Sequence, residues 1–179
     1  ADDSIYGQGR FGQQLTAGVL QNSKTEDQQP YGLASGFAHS SKLVSGSVAN
    51  LTAELYENHD REKFEIHAFS LGPDTKDEMN LRIKAGVDHF HDVHSMSHKE
   101  IALLARSLEI DIAVDLAGHT ANSTMEIFAM SAAPLQLSYI GYLGTMGADY
   151  YDYLIADPIM IPQEQQQHYI EKIIYLPSF

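Results

Sequence analysis

The chain contains no cysteine. That excludes a disulfide framework, a thiolate metal site and a cysteine nucleophile, and it suits a reducing compartment. Long apolar runs are also missing: none approaches the ~20 residues needed to span a bilayer, and no basic stretch followed by an apolar one opens the chain. Basic residues are scarce, with 11 Lys and Arg against 24 Asp and Glu in 179 residues, a formal charge of −13. Such a balance repels a nucleic-acid backbone. No segment recurs at a spacing of 20 to 50 residues, so the chain is not itself a solenoid. What is there is 44% hydrophobic and 20% charged, which excludes disorder throughout and suits one domain with a core. These features predict a soluble, cytoplasmic protein with neither a membrane nor a nucleic acid as partner. The first residue is Ala1, which reads as a fragment of a longer parent.

Residues 1–30 are rich in Gln, Gly, Ser and Asp, carry weak apolar spacing, and read as a linker or frayed segment without chemistry. From Val48 the pattern changes. Leu51, Leu55 and Tyr56 recur at helical spacing up to a stop at Asn58-His59-Asp60. Phe64 to Leu71 alternates like a strand and is cut by Gly72-Pro73-Asp74. Met79, Ile83 and Val87 predict a second helix, Asp88 to Val93 a short strand, and Ser97 to Leu108 a third helix in which Ser97 and Glu100 form a capping box. Ile110–Leu116, Leu135–Ile140, Asp152–Ala156 and Ile173–Leu176 predict further strands. Strands alternating with helices at this spacing imply βαβ units and an α/β, doubly wound, mostly parallel sheet of Rossmann-like type.

Ligands of open α/β sheets bind beyond the carboxyl ends of the strands, so the loops after the predicted strands are where chemistry is sought. One is Asp115-Leu116-Ala117-Gly118-His119-Thr120. Gly118 permits close backbone approach, and His119 and Thr120 offer hydrogen bonds or a proton-transfer group, or else serve as loop and cap residues. The other is Gly141-Tyr142-Leu143-Gly144-Thr145-Met146-Gly147. Its Gly-x-x-Gly-x-x-Gly spacing is neither a dinucleotide fingerprint nor a Walker A loop, and it serves equally as a flexible turn or a ligand cradle. His89, His91, His94 and His98 invite a metal reading, since imidazoles and carboxylates are the ligands left without thiolates. His89 and His91 would share a strand face, but no single element presents all four. A solvated strand end is the reading we adopt, with no metal site.

The run Lys63-Phe64-Glu65-Ile66 through Phe69-Ser70-Leu71-Gly72-Pro73-Asp74, then Asp88-His89-Phe90, Asp111 to Leu116 with Gly118-His119-Thr120, Ala133-Pro134-Leu135-Gln136, Tyr139 to Tyr142 with Gly144-Thr145, and Asp152 to Asp157 closely resembles the catalytic region of the O-linked N-acetylglucosamine transferase family, including its SPINDLY-like bacterial members. The resemblance runs from about Leu51 to Phe179. It implies the first lobe of a two-lobed GT-B glycosyltransferase, over residues 31–179, with the second lobe beyond Phe179 and tetratricopeptide repeats in the parent. The implied activity is transfer of a sugar from a nucleotide-diphosphate donor, UDP-GlcNAc or GDP-fucose, to Ser or Thr hydroxyls of a protein acceptor, with no metal or other cofactor. By itself this chain is expected not to turn over. At matched positions, Gly118, His119 and Thr120 with Ile140, Gly141, Tyr142, Gly144 and Thr145 should line the cleft where donor sugar meets acceptor, and His119 is a catalytic candidate.

The family's Asp-Phe-x-x-His motif departs from the pattern here. Counting back from Asp60 without gaps places Lys42-Leu43 and Gly46 at its positions, while a gapped alignment through Ser35-Gly36-Phe37-Ala38-His39 supplies His39 as a second catalytic candidate. Ser131 replaces the family's Arg before the Ala-Pro strand entry, which removes either a salt bridge or a contact facing the cleft. The altered region Tyr31 to Ala49 motivates a different class of function, a non-catalytic α/β binding or scaffold module derived from the enzyme; a fault in the sequence there is the other explanation.

Overall fold

A computed structural model describes residues 34–40, 47–120 and 123–176. The expected linker over residues 1–30 lies outside the described residues. Seven strands, β1 (Ala34–Ser40), β2 (Phe64–Ser70), β3 (His89–Asp92), β4 (Ile112–Asp115), β5 (Leu135–Tyr139), β6 (Tyr153–Ala156) and β7 (Lys172–Tyr175), form one sheet in the order 3-2-1-4-5-6-7. Every pairing is parallel. Four helices, α1 (Ser47–Glu57), α2 (Glu78–Gly86), α3 (His98–Ser107) and α4 (Met125–Ala129), and a 3-10 turn at Gln163–His168 connect them.

Two apolar layers sandwich the sheet. On one face Ala53 and Tyr56 of α1 and Ile83 of α2 pack with Ala68, Leu137, Tyr153 and Ile155. On the other, Ile101, Ala102 and Ala105 of α3 and Ile127 and Phe128 of α4 pack with Phe69 and Ala113. Helices on both faces of a parallel sheet, with strand order reversing between β1 and β4, make this the Rossmann-like doubly wound fold expected.

Local signals account for most boundaries. The Ser97 hydroxyl accepts from the Glu100 amide at 3.3 Å, and Glu100 answers by accepting from the Ser97 amide at 2.7 Å, the reciprocal cap expected of this pair. Asp77 caps α2 through the Asn80 amide at 2.8 Å. Strand β4 is shorter than its apolar run because Ile110 and Leu116 continue the two core layers from the flanking turns.

Two elements were not visible in the sequence pattern. Strand β1, Ala-Ser-Gly-Phe-Ala-His-Ser, is poor in β-branched residues and shows no alternation. Its place is set by tertiary pairing, in register with β2 from Ala34↔Phe64 to Ser40↔Ser70 and with β4 from Gly36↔Ile112 to His39↔Asp115. Helix α4 has five residues and no side-chain cap, and is held by burial of Ile127 and Phe128.

Candidate functional site

The reversal of strand order places a crevice beyond the carboxyl ends of β1 and β4, because the connections from these two neighbours leave in opposite directions. The loop leaving β4 is built by Asp115, whose carboxylate is buried. Its Oδ1 accepts from the Ala117 amide at 2.8 Å and the Gly118 amide at 3.0 Å, and its Oδ2 accepts from the Tyr151 hydroxyl at 2.6 Å. Burial first, and then the Asp115 charge, push the Tyr151 hydroxyl far above its usual pKa, so it stays a donor. Thr120 closes the turn by donating from Oγ1 to the Ala117 carbonyl at 3.0 Å.

The Gly-rich segment after β5 meets this loop. Gly118 takes φ +56°, and a Cβ there would sit 2.5 Å from the Cβ of Tyr142. Gly141 is more constrained still, since a Cβ would lie 1.9 Å from the Leu116 carbonyl oxygen, which is backbone and has nowhere to go. Ile140, beside it, holds φ 59°, a left-handed conformation that a β-branched residue adopts only under tertiary constraint. His119 is exposed; its Nε2 donates to the Met146 carbonyl at 2.9 Å and its ring meets Tyr142 edge-on at 5.2 Å. With the proton on Nε2, Nδ1 carries the lone pair.

Strand β5 connects to parallel β6 without a helix, so the Gly-rich segment runs back along the sheet and comes within reach of Glu171, just before β7. Buried Glu171 accepts from the Thr145 hydroxyl at 2.6 Å and from the Met146 amide. Tyr169 donates to the Leu143 carbonyl at 2.9 Å. Thr145 is therefore an anchor within the loop, and Glu171 and Tyr151 are supports that no loop motif in the sequence flagged. Glu171 falls in the stretch Gln167 to Pro177 that shares the family resemblance, but its burial and its hold on the loop show only in the fold.

The structure thus brings Gly118, His119 and Thr120 together with Ile140, Gly141, Tyr142, Gly144 and Thr145. His39 stands in β1 one residue from its carboxyl end, in register with Asp115 of β4; Lys42, Leu43 and Gly46 lie outside the described residues. Ser131 is at the opposite end of the strands. It helps line a hollow of about 510 Å³ with Arg106, Asp111 and Pro134, at the amino ends of β4 and β5. Loss of an Arg there leaves the carboxyl-end crevice untouched.

Of the four histidines weighed for a metal, His94 pairs with Asp92 at 2.7 Å and His98 with Glu126 at 2.7 Å, each apart from the others. His89 and His91 do share a face of β3, where they meet His67 of β2.

A family model described as glycosyl transferase family 41 matches residues 20–179. The chain belongs to this family. Among curated proteins it is 36% identical over 138 residues to the probable UDP-N-acetylglucosamine–peptide N-acetylglucosaminyltransferase SEC of Arabidopsis thaliana, covering 77% of this chain and 14% of that protein. The probable enzyme of the same activity called SPINDLY in Oryza sativa subsp. japonica is 33% identical over 136 residues, 74% of this chain and 15% of that protein. The chain therefore spans a small part of the length of these relatives. A mutant O-GlcNAc transferase of Thermobaculum terrenum superposes with a TM-score of 0.77 at 24% identity, covering 99% of this chain and 35% of the other. At that identity the likeness is one of fold.

Proposed function

We propose that this family 41 chain is one lobe of a protein O-glycosyltransferase, working within a longer parent that supplies a second lobe and, as expected from the sequence, tetratricopeptide repeats. The parent transfers N-acetylglucosamine from UDP-GlcNAc to a Ser or Thr hydroxyl of a protein acceptor. The observation that carries the reading is the interlock of the 116–120 and 140–147 loops beside the strand-order reversal. Leu116 against Gly141, Gly118 against Tyr142 and His119 against Met146 make one surface from two distant stretches of sequence.

In the transfer, the acceptor hydroxyl oxygen forms a bond to the anomeric carbon, and the bond from that carbon to the diphosphate oxygen breaks. The nucleoside diphosphate leaves with the electron pair, and the hydroxyl proton passes to a base. The Gly-rich loop keeps backbone close to the sugar without adding bulk, and its role is positioning. His119 is held by the Met146 carbonyl with Nδ1 as its acceptor nitrogen, which suits it to take or relay that proton. His39, on the neighbouring strand, is the second candidate for this step. The SEC and SPINDLY relatives are named for UDP-N-acetylglucosamine as donor, which favours UDP-GlcNAc over GDP-fucose.

The test is transfer of radiolabelled sugar by the full parent protein from each donor to a protein acceptor, with His119→Ala and His39→Ala beside the wild type. Label from UDP-GlcNAc on Ser or Thr, falling by about 10²–10⁴-fold in His119→Ala, is the expected result. A folded parent that transfers from neither donor supports the non-catalytic module instead. Label from GDP-fucose alone keeps the transferase and replaces the donor.

A further inference from the structure

Strands β2 and β3 form one margin of the sheet, separated from β4 by β1. Their register sets His67 opposite His89 and Phe69 opposite His91. Because strand side chains alternate, Glu65, His67 and Phe69 share a face with His89 and His91. Three imidazoles and a carboxylate meet there, with ring centroids 4.4 Å apart for His67 and His89 and 5.3 Å for His67 and His91.

The donors converge. His89 Nε2 lies 2.6 Å from Glu65 Oε1, and His67 Nε2 lies 3.8 Å from Glu65 Oε2. One ligand atom from each of Glu65, His67 and His89 falls within 4.8 Å of the other two. Tetrahedral zinc, with bonds of roughly 2.0–2.1 Å, holds its ligand atoms roughly 3.3 Å apart. Small rotations of Glu65 and exposed His89 close the set around an ion, while His67 is buried and fixed.

A hydrogen bond behind the cluster fixes the ring that cannot move. His67 Nδ1 lies 3.0 Å from His91 Nε2. A proton on Nδ1 makes this bond and leaves the Nε2 lone pair facing Glu65 and His89. The 3.8 Å from Nε2 to Glu65 Oε2 is too long for a hydrogen bond that would hold the proton there instead. This is the arrangement by which a ligating histidine is oriented through its other nitrogen.

We propose that Glu65, His67 and His89 form a binding site for a divalent transition metal of the zinc type, with His91 as the positioning residue behind His67. Imidazoles with one carboxylate suit zinc, nickel or copper over magnesium and calcium. The ion ties the marginal strand β3 to β2 in a chain that has no disulfide, and it lies away from the carboxyl-end crevice. The site is independent of the proposed sugar transfer.

The experiment is calorimetric titration of the tag-free, chelator-treated chain with ZnCl2 and, separately, MgCl2, at neutral pH. Expected are one zinc bound per chain, no magnesium binding, and a thermal unfolding midpoint that rises with zinc. His89→Gln and Glu65→Gln, both at exposed or half-exposed positions and checked for folding by circular dichroism, should abolish the stoichiometric event. His91→Ala should weaken it by about 10–100-fold, and His94→Ala should leave it unchanged. Absence of zinc binding to the folded wild type overturns the proposal, as does binding that survives His89→Gln and Glu65→Gln or disappears in His94→Ala.

Discussion

At the scale of single residues, the functional surface depends on atoms that are missing as much as on side chains present. Gly141 lets the backbone after β5 lie against the Leu116 carbonyl at a separation no Cβ tolerates. Gly141→Ala is expected to destabilise the fold by about 3 kcal/mol, the upper end for overpacking, because the obstructing atom is backbone. Urea denaturation of the chain measures it. A cost below about 1 kcal/mol would mean that the two loops do not interlock as described. The Gly-rich spacing was visible in the sequence; its partner was not, since nothing local tells Gly141 that Leu116 will be its neighbour. Asp115 illustrates the same limit. Its position after an apolar run marked a strand end, but its hold on the Ala117 and Gly118 amides and the Tyr151 hydroxyl joins positions 36 residues apart.

Elements that carry their own signals are legible in the sequence, and those that depend on neighbours are not. α1, α2 and α3 declare themselves through periodicity and caps, and β2 and β5 through alternation or compact apolar runs. β1 has none of these signals and exists because β2 and β4 supply hydrogen bonds to both its sides. Two features of the β2–β3 margin yield predictions. The first is Asp88, which accepts from the Ile66 amide at 2.8 Å, bonds His59 Nε2 at 2.8 Å, and pairs with Arg61. Burial raises its pKa, but the amide, His59 and Arg61 together outweigh burial and hold it below the usual carboxylate value. Asp88→Ala strips partners from a buried imidazole and an amide, and should cost about 2 kcal/mol by chemical denaturation.

The second feature is the histidine cluster. Folded-state values of His67 and His91 lie below about 6.5, the unfolded value, so the unfolded chain binds more protons just beneath that pH. Their contribution to stability is full above about pH 6.5 and is lost as pH falls through the folded values. Glu65, Asp88, His89 and His91 are the charged or titratable groups around His67, and the two carboxylates moderate the shift without reversing it. Denaturation midpoints measured in chelator between about pH 8 and pH 5 should fall on acidification below about pH 6.5. The slope should flatten in the His67→Phe, His91→Phe double variant; an unchanged slope would place the acid sensitivity elsewhere.

On the scale of the whole molecule, topology assigns function to one end of the sheet. The order 3-2-1-4-5-6-7 reverses direction at β1 and β4, and the two loops singled out from the sequence both belong to the carboxyl end. A hollow lined by Arg106 and Ser131 lies at the other end. Strand order points instead to the carboxyl end, where the two loops interlock. Because this chain has no cysteine, a thiol placed in it can be followed by mass spectrometry of the peptides from this segment. Leu143→Cys places a thiol on the exposed part of the Gly-rich loop, and Glu62→Cys places one in the exposed turn entering β2. In the parent protein, UDP-GlcNAc should slow alkylation several-fold at position 143 and leave position 62 unaffected. Equal protection at both would indicate a global change on binding, and protection at 62 alone would move the donor to the amino end of the sheet. Protection at 143 by UDP-GlcNAc but not by GDP-fucose would fix both the end of the sheet that holds the donor and the sugar nucleotide that it holds.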